Sequence, residues 1–358
     1  MIRDILDFFK REKFYAVLFL GIVTFYAAAF ILPLRHSKPK PSPALEEFQR
    51  AEEKLETKVK NKGSLQNYLK SRPNLEKIFG VFLLFAFAAF TAGLALDYLF
   101  IFKPAWRHRI QRPVLTHGPP WTFAMLTKVI LLFLAGSLIV GYGLAGAARV
   151  AGFEIPFNFY MLLHTTLADF LVFGVMVWVI GRSGGDWRDL GFRIPDGKFF
   201  REIRVGWSAY LTILPVFSIF LFSLVMIAHF FSYEPPPHPL VSIFLEEENR
   251  SPWIVGYSIF LATVFGPIFE EIFFRGFCYP IFKQKWGPWF AMILSAAFFA
   301  LIHDNTFAFW PIFILGMGLA YLYEKRGSLI APVVLHVTHN IIFIGYFFLA
   351  KTVVRGGG

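Results

Sequence analysis

Apolar residues fall along this chain in long blocks separated by short polar connections. That pattern belongs to membrane-crossing helices rather than to strands or half-buried surface helices. Nine spans follow from it: about 14–34, 78–102, 123–147, 160–180, 205–231, 253–274 (with continuation to 282 as the alternative), 288–302, 307–323 and 329–350. A helix of about 20 residues rises roughly 30 Å, the thickness of a bilayer's hydrocarbon core. The fold class expected is all-α, a polytopic transmembrane helical bundle of about nine spans. The first span resembles a signal peptide, with basic residues before it and Ala27, Ala28 and Ala29 near its end. Its apolar run continues through Pro33 and Leu34, so a retained membrane anchor is expected over 1–34.

The connections divide the rest. Residues 35–77 form a charged connection that opens on the proline-rich stretch 38–43, an extended linker. It continues as a charge-rich helix with a thin apolar stripe of Phe48, Leu55 and Val59. A solvated helix is the expected outcome, with packing on a partner or on the membrane surface as the alternative. Helices 2–4 occupy 78–181, a loop runs from 182 to 204, the membrane core covers 205–350, and a tail follows over 351–358. Lysine and arginine in four of the five pairs of connections place the N-terminus in the cytoplasm and the C-terminus outside. The 35–77 connection dissents with 11 of them.

Composition narrows the class without changing this picture. Hydrophobic residues make up 56% of the chain and charged ones 16%, too apolar a balance for an ordinary soluble domain. The net charge of +11 is read as cytoplasmic loops facing anionic headgroups, so the partner is the lipid bilayer and not nucleic acid. The single cysteine, Cys278, excludes an intrachain disulfide and a cysteine-based zinc site.

Against this background the last third of the chain stands out. Glu270, Glu271 and Arg275 lie within six positions of an otherwise apolar run. One charged side chain at the centre of a membrane helix costs about 2.5–3.5 kcal/mol on insertion scales, so such residues are expected to be functional. Residues four apart share a helix face, so Glu271 and Arg275 should pair, with Glu270 about 100° away. One carboxylate is then structural and the other suits a general base. His336 and Asn340 are also four apart, an imidazole and a carboxamide that can hold a developing oxyanion. Phe299 and His303 repeat the spacing, with the ring placed to orient the imidazole. Pro267 should bend the sixth span and release a backbone carbonyl. His339 is a further polar residue at membrane depth in the ninth span.

These motifs, EEIFFR from Glu270 to Arg275, FALIH from Phe299 to His303 and HVTHN from His336 to Asn340, resemble the CAAX protease and bacteriocin-processing family, also called the Abi or type II CAAX proteases. The Trp-Arg-Asp-Leu-Gly-Phe-Arg loop from Trp187 is similar to the stretch that leads into that family's core. The resemblance implies an eight-helix-type protease core after an extra N-terminal anchor. It also implies an intramembrane endopeptidase in which Glu270 activates water, His303 helps to position it, His336 and Asn340 stabilise the oxyanion, and Glu271 and Arg275 order the site. No cofactor is expected. The alternative is zinc held by Glu270, His303 and His336, although no His-Glu-x-x-His occurs in the chain. The implied substrate is a membrane-associated protein or peptide, processed at its C-terminus or in a CAAX-like manner.

Three competing readings are weaker. Ser183 in Gly-Arg-Ser-Gly matches a rhomboid-type serine motif, but the charged residues that follow suit a turn at the headgroups. A proton-coupled transporter would use Glu270 and the histidines as a relay, yet the spans show no inverted repeat. A non-catalytic immunity or receptor protein would not need the full motif set. A bacterial inner membrane is the expected location.

Overall fold

The computed structural model describes residues 2–31, 42–61, 65–110, 121–233, 235 and 238–356; most of the proline-rich linker at 38–43 lies outside them. All regular elements among the described residues are helices. Seven are long and apolar enough to cross a membrane: 73–102, 123–151, 157–182, 199–230, 252–301, 306–326 and 330–355. The anchor expected over 1–34 contributes a shorter apolar helix, 13–28. Large apolar side chains such as Val81, Leu84, Phe85 and Phe87 lie on the protein surface, which a lipid environment explains and water does not. The chain is an integral, multi-pass membrane protein.

Contacts divide the chain into two compact units. The first contains residues 1–40, 115–192 and 268–294. Its helices α1 (Ile2–Arg11) and α2 (Lys13–Ile31) precede two long helices. In the present numbering α3 to α6 are Pro43–Asn61, Leu65–Lys70, Pro73–Phe102 and Pro104–Ile110, and the long pair of the first unit is α7 (Phe123–Ala151) and α8 (Phe157–Arg182). The last two pack closely, partly through His164, whose Nε2 lies 3.1 Å from the Ser137 carbonyl oxygen. This histidine is interhelical glue of the kind expected in membranes. After α8 the chain turns rather than continuing: Ser183 Oγ donates to the Val179 carbonyl at 3.0 Å and Gly184 has a left-handed φ of 75°. Ser183 is therefore a helix-end residue, as the turn reading expects.

The second unit contains residues 41–114, 193–267 and 295–358. Here α9 (Phe199–Phe230), α10 (Pro239–Glu247), α14 (Thr306–Arg326) and α15 (Ile330–Gly356) pack with α3 and α5. Helix α9 begins before the expected residue 205 and so carries Glu202 into the protein. Arg326 makes this tolerable by forming a bidentate pair with the carboxylate, Nε lying 2.9 Å from Oε2, with both side chains fully buried. Nothing in the helical spacing announced that pair, because its members are 124 positions apart.

Two expectations about the polar segments need correction. The 351–358 tail is helical through Gly356, as the end of α15. The charge-rich helix α3 is not simply solvated: Leu55 and Val59 pack on Tyr68, Leu69 and Leu75 together with Val353 of α15. The extension of α15 adds Val353 to the apolar surface that Leu55 and Val59 cover. Nearby, Lys351 and Arg355 both donate to Glu248. Desolvation pushes the Glu248 carboxyl up, but these two cations outweigh it and hold it below the usual carboxylate range. A depressed folded-state value stabilises the fold above the unfolded carboxylate's range, and that contribution is lost as pH falls through the folded value. Acid titration of Glu248→Gln should thus show a shallower fall in melting temperature below about pH 4.5 than the parent. Equal acid slopes would remove this pair from the account.

Candidate active site

The stretch that carries the motifs is one long helical tract broken in three ways. It starts as α11 (Pro252–Phe260), passes through a π-helical turn at Leu261–Phe265, and continues as α12 (Gly266–Glu271). A second π-helical segment, Ile272–Cys278, leads into α13 (Tyr279–Leu301), where Gly287 leaves helical geometry just before Pro288. The sixth span thus runs on past 282, and the separate seventh span is the part of α13 after Gly287. π-Helical segments are rare and are found frequently at functional sites. Two of them, Leu261–Phe265 and Ile272–Cys278, flank Glu270 and Glu271.

In the first unit, Arg275 Nη1 donates to Glu271 Oε1 at 3.0 Å, and both side chains are fully buried. The expected partners are therefore in contact. Glu270 also acts electrostatically on Arg275, but less than Glu271 does. A third acid joins this neighbourhood: Asp169 of α8 lies within electrostatic reach of Glu270. One helical turn later Phe173, with Phe170, packs edge-on against Phe269, the residue before Glu270. Asp169 lies outside the motif set, although an isolated acid inside a span is a signal in its own right.

The second π segment is also where the chain before α9 docks. A short 3₁₀ turn, Trp187–Leu190, packs on it, and Leu190 is fully buried. The loop expected at the headgroups thus reaches the core through Leu190. A Cβ at Gly276 would lie 2.5 Å from the Leu190 carbonyl oxygen, which is backbone and cannot yield cheaply. Gly276→Ala is expected to lower stability by about 1–3 kcal/mol, as overpacking does. Thermal melting in detergent checks this, and an unchanged midpoint would mean that the 3₁₀ turn moves aside freely.

In the second unit, Phe299 sits between two histidines. Its ring is edge-on to His303 at 4.8 Å and to His336 at 5.6 Å. The helix end tightens at this point: the His303 amide donates to the Ala300 carbonyl, three residues back. The Phe299 carbonyl is met by His303's own ring, with Nδ1 2.7 Å away. A carbonyl only accepts, so Nδ1 carries a proton, and in the neutral tautomer Nε2 is the acceptor. His336 is buried. His339 faces elsewhere, edge-on to Phe217 at 5.0 Å and near Tyr210, in a packing role.

Asn340 makes a contact that its spacing from His336 did not announce: Nδ2 donates to the Ala262 carbonyl at 2.7 Å. Another residue outside the expected set, His238, caps α10 by accepting the Leu240 amide at Nδ1, and its ring lies edge-on to Phe343. Desolvation, followed by the charge of His303, holds His238 below the usual imidazole range. Among the described residues no group of three His, Cys, Asp or Glu side chains is arranged to hold a metal ion.

Comparisons with known proteins agree on this region. Residues 252–342 match the family model described as "Type II CAAX prenyl endopeptidase Rce1-like", a stretch that encloses all three motifs. Two curated proteins are similar over short stretches. The "Putative membrane peptidase YdiL" of Bacillus subtilis (strain 168) is 26% identical over 86 residues, 24% of this chain and 35% of its own. The "UPF0177 protein YbdI" of Lactococcus lactis subsp. lactis (strain IL1403) is 28% identical over 85 residues, 24% of this chain and 45% of its own. The chain thus matches less than half the length of either relative. No solved structure matches it. Within this multi-pass membrane protein, the helical tract and the helices that follow it over residues 252–342 are similar to the Rce1-like type II CAAX prenyl endopeptidases.

Proposed function

We propose that the protein is a membrane-embedded endopeptidase that hydrolyses a peptide bond near the C-terminus of a membrane-associated protein or peptide. The observation that carries this reading is the buried Glu271–Arg275 pair directly beside Glu270, inside the stretch matched by the endopeptidase family. A pair that spends two charges in an apolar interior holds the adjacent carboxylate in a defined place, and a general base needs such placement.

In this reading Glu270 takes the proton from an attacking water. His303 helps to position the water; in its neutral tautomer Nε2 is the nitrogen that accepts, because Nδ1 is committed to Phe299. His336 and Asn340 donate to the oxyanion as the tetrahedral intermediate forms, a type of contribution for which loss of one donor costs about 10²–10³ in turnover. Proton return from Glu270 to the leaving amine completes the cycle, with no covalent enzyme intermediate. Glu271 and Arg275 are positioning residues. The chain's location is proposed to be a bacterial inner membrane, with the N-terminus in the cytoplasm, on the evidence of the relatives' sources and the charge balance of the connections.

The test is direct. Purified protein in detergent is incubated with a peptide ending in a farnesylated cysteine and three further residues, and with its unprenylated counterpart. Mass spectrometry reads release of the C-terminal tripeptide. Cleavage of the farnesylated peptide alone supports prenyl-dependent processing, and cleavage of both supports a broader peptidase. Cleavage of neither, together with pH-driven ion uptake in reconstituted vesicles, would favour the transporter reading. Elemental analysis of the active preparation settles the metal: stoichiometric zinc would replace the metal-free mechanism.

A further inference from the structure

The π-helical turn at Leu261–Phe265 has a specific effect on the backbone. In an α-helix the Ala262 carbonyl would receive the amide of Gly266, four residues on. Here the Gly266 amide donates to Leu261, five residues back, as the wider turn requires. The next donor in the π pattern, five residues beyond Ala262, is residue 267. That residue is proline and has no N–H. Both helical partners of the Ala262 carbonyl are thus removed, one by the turn and one by the proline. A backbone carbonyl left without a donor inside a membrane helix costs free energy comparable to a lost hydrogen bond. Asn340 Nδ2 fills the vacancy at 2.7 Å.

We infer that Pro267 is a positioning residue for Asn340: by withholding an amide, it reserves the Ala262 carbonyl as the anchor that fixes the carboxamide. The inference deepens the endopeptidase reading and rests on it for its link to catalysis. One carboxamide hydrogen is committed to Ala262, so the nitrogen is fixed and its second hydrogen keeps a single direction. A donor fixed in advance stabilises an oxyanion without reorganising during the reaction. The tract that supplies the anchor is the same one that carries Glu270, eight positions further along the chain. The proline therefore does more than bend the helix: it sets aside one acceptor for one side chain.

The test compares Pro267→Ala, Asn340→Ala and the double variant, using the farnesylated peptide as probe. Alanine at 267 supplies the missing N–H, which competes for the Ala262 carbonyl. Turnover of Pro267→Ala is expected to fall about 10-fold or more with KM unchanged. Asn340→Ala is expected to fall about 10²–10³-fold. In the Pro267→Ala background, removing Asn340 should cost measurably less than in the parent, the non-additivity of two residues acting through one contact. Strictly multiplicative losses, or full turnover in Pro267→Ala, would overturn the inference.

A second readout does not depend on activity. The side-chain amide of Asn340, followed by nitrogen-15 NMR in micelles, should exchange slowly with water in the parent and faster in Pro267→Ala. If Pro267→Ala does not fold, the parent spectrum decides alone, since fast exchange of that amide would refute the anchor. A protected amide in a protein that cleaves nothing would leave the anchor standing and refute the endopeptidase reading instead.

Discussion

Glu270→Gln is expected to lower cleavage of the farnesylated peptide by about 10²–10⁴, the range that a positioned general base contributes. The change keeps the shape of the side chain and removes its ability to take a proton. Folding should survive it. Glu271, not Glu270, is the acid that hydrogen-bonds Arg275 Nη1 at 3.0 Å, so that contact is untouched. The expected pattern is a loss of kcat with little change in KM, together with normal insertion and an unchanged elution profile. Retained turnover in the folded variant would remove Glu270 as the base. Asp169, which lies within electrostatic reach of Glu270, would then be the next carboxylate to substitute. A transporter using the same residues would instead lose pH-driven uptake and show no hydrolysis in either protein.

What could be read from the sequence was whatever follows from local spacing. The spans are legible because a run of about 20 apolar residues has few other solutions. The Glu271–Arg275 contact is legible because four positions make one helical turn, and it survives even though the local helix is π-wound. Phe299 beside His303 follows by the same rule.

What was not legible depends on partners far away in the chain or on departures from the α-helix. Glu202 and Arg326 are separated by 124 positions, and no periodicity links them. Asn340 meets Ala262 only because a π turn and a proline together strip that carbonyl of donors. The sequence shows the proline and implies a released carbonyl. Which carbonyl it would be depends on the turn width, which the sequence pattern does not report. Asp169 is a different kind of omission. It is legible as a lone acid in a span, but a single acid is a weaker signal than the dense cluster a hundred positions later.

Arg275→Met is expected to destabilise the protein by about 3–5 kcal/mol, the usual cost of removing one member of a buried ion pair. Both side chains are fully buried, so the Glu271 carboxylate cannot recover the lost hydrogen bond from solvent. Glu271→Leu should cost a similar amount for the converse reason. The double variant, Glu271→Leu with Arg275→Met, is expected to regain much of the loss, because a buried pair replaced by apolar side chains of similar volume is often close to neutral. Melting midpoints of the four proteins in one detergent give the coupling directly. The double variant also separates two roles. If the pair only holds the tract in shape, the refolded double variant keeps measurable cleavage, since Glu270, His336 and Asn340 are all present. If Arg275 itself touches the reacting peptide, the double variant is folded and inactive, and Arg275 moves from a positioning role to a catalytic one. A double variant as unstable as either single variant would mean that the surrounding residues depend on the charges separately, and the pair could no longer be treated as one structural unit.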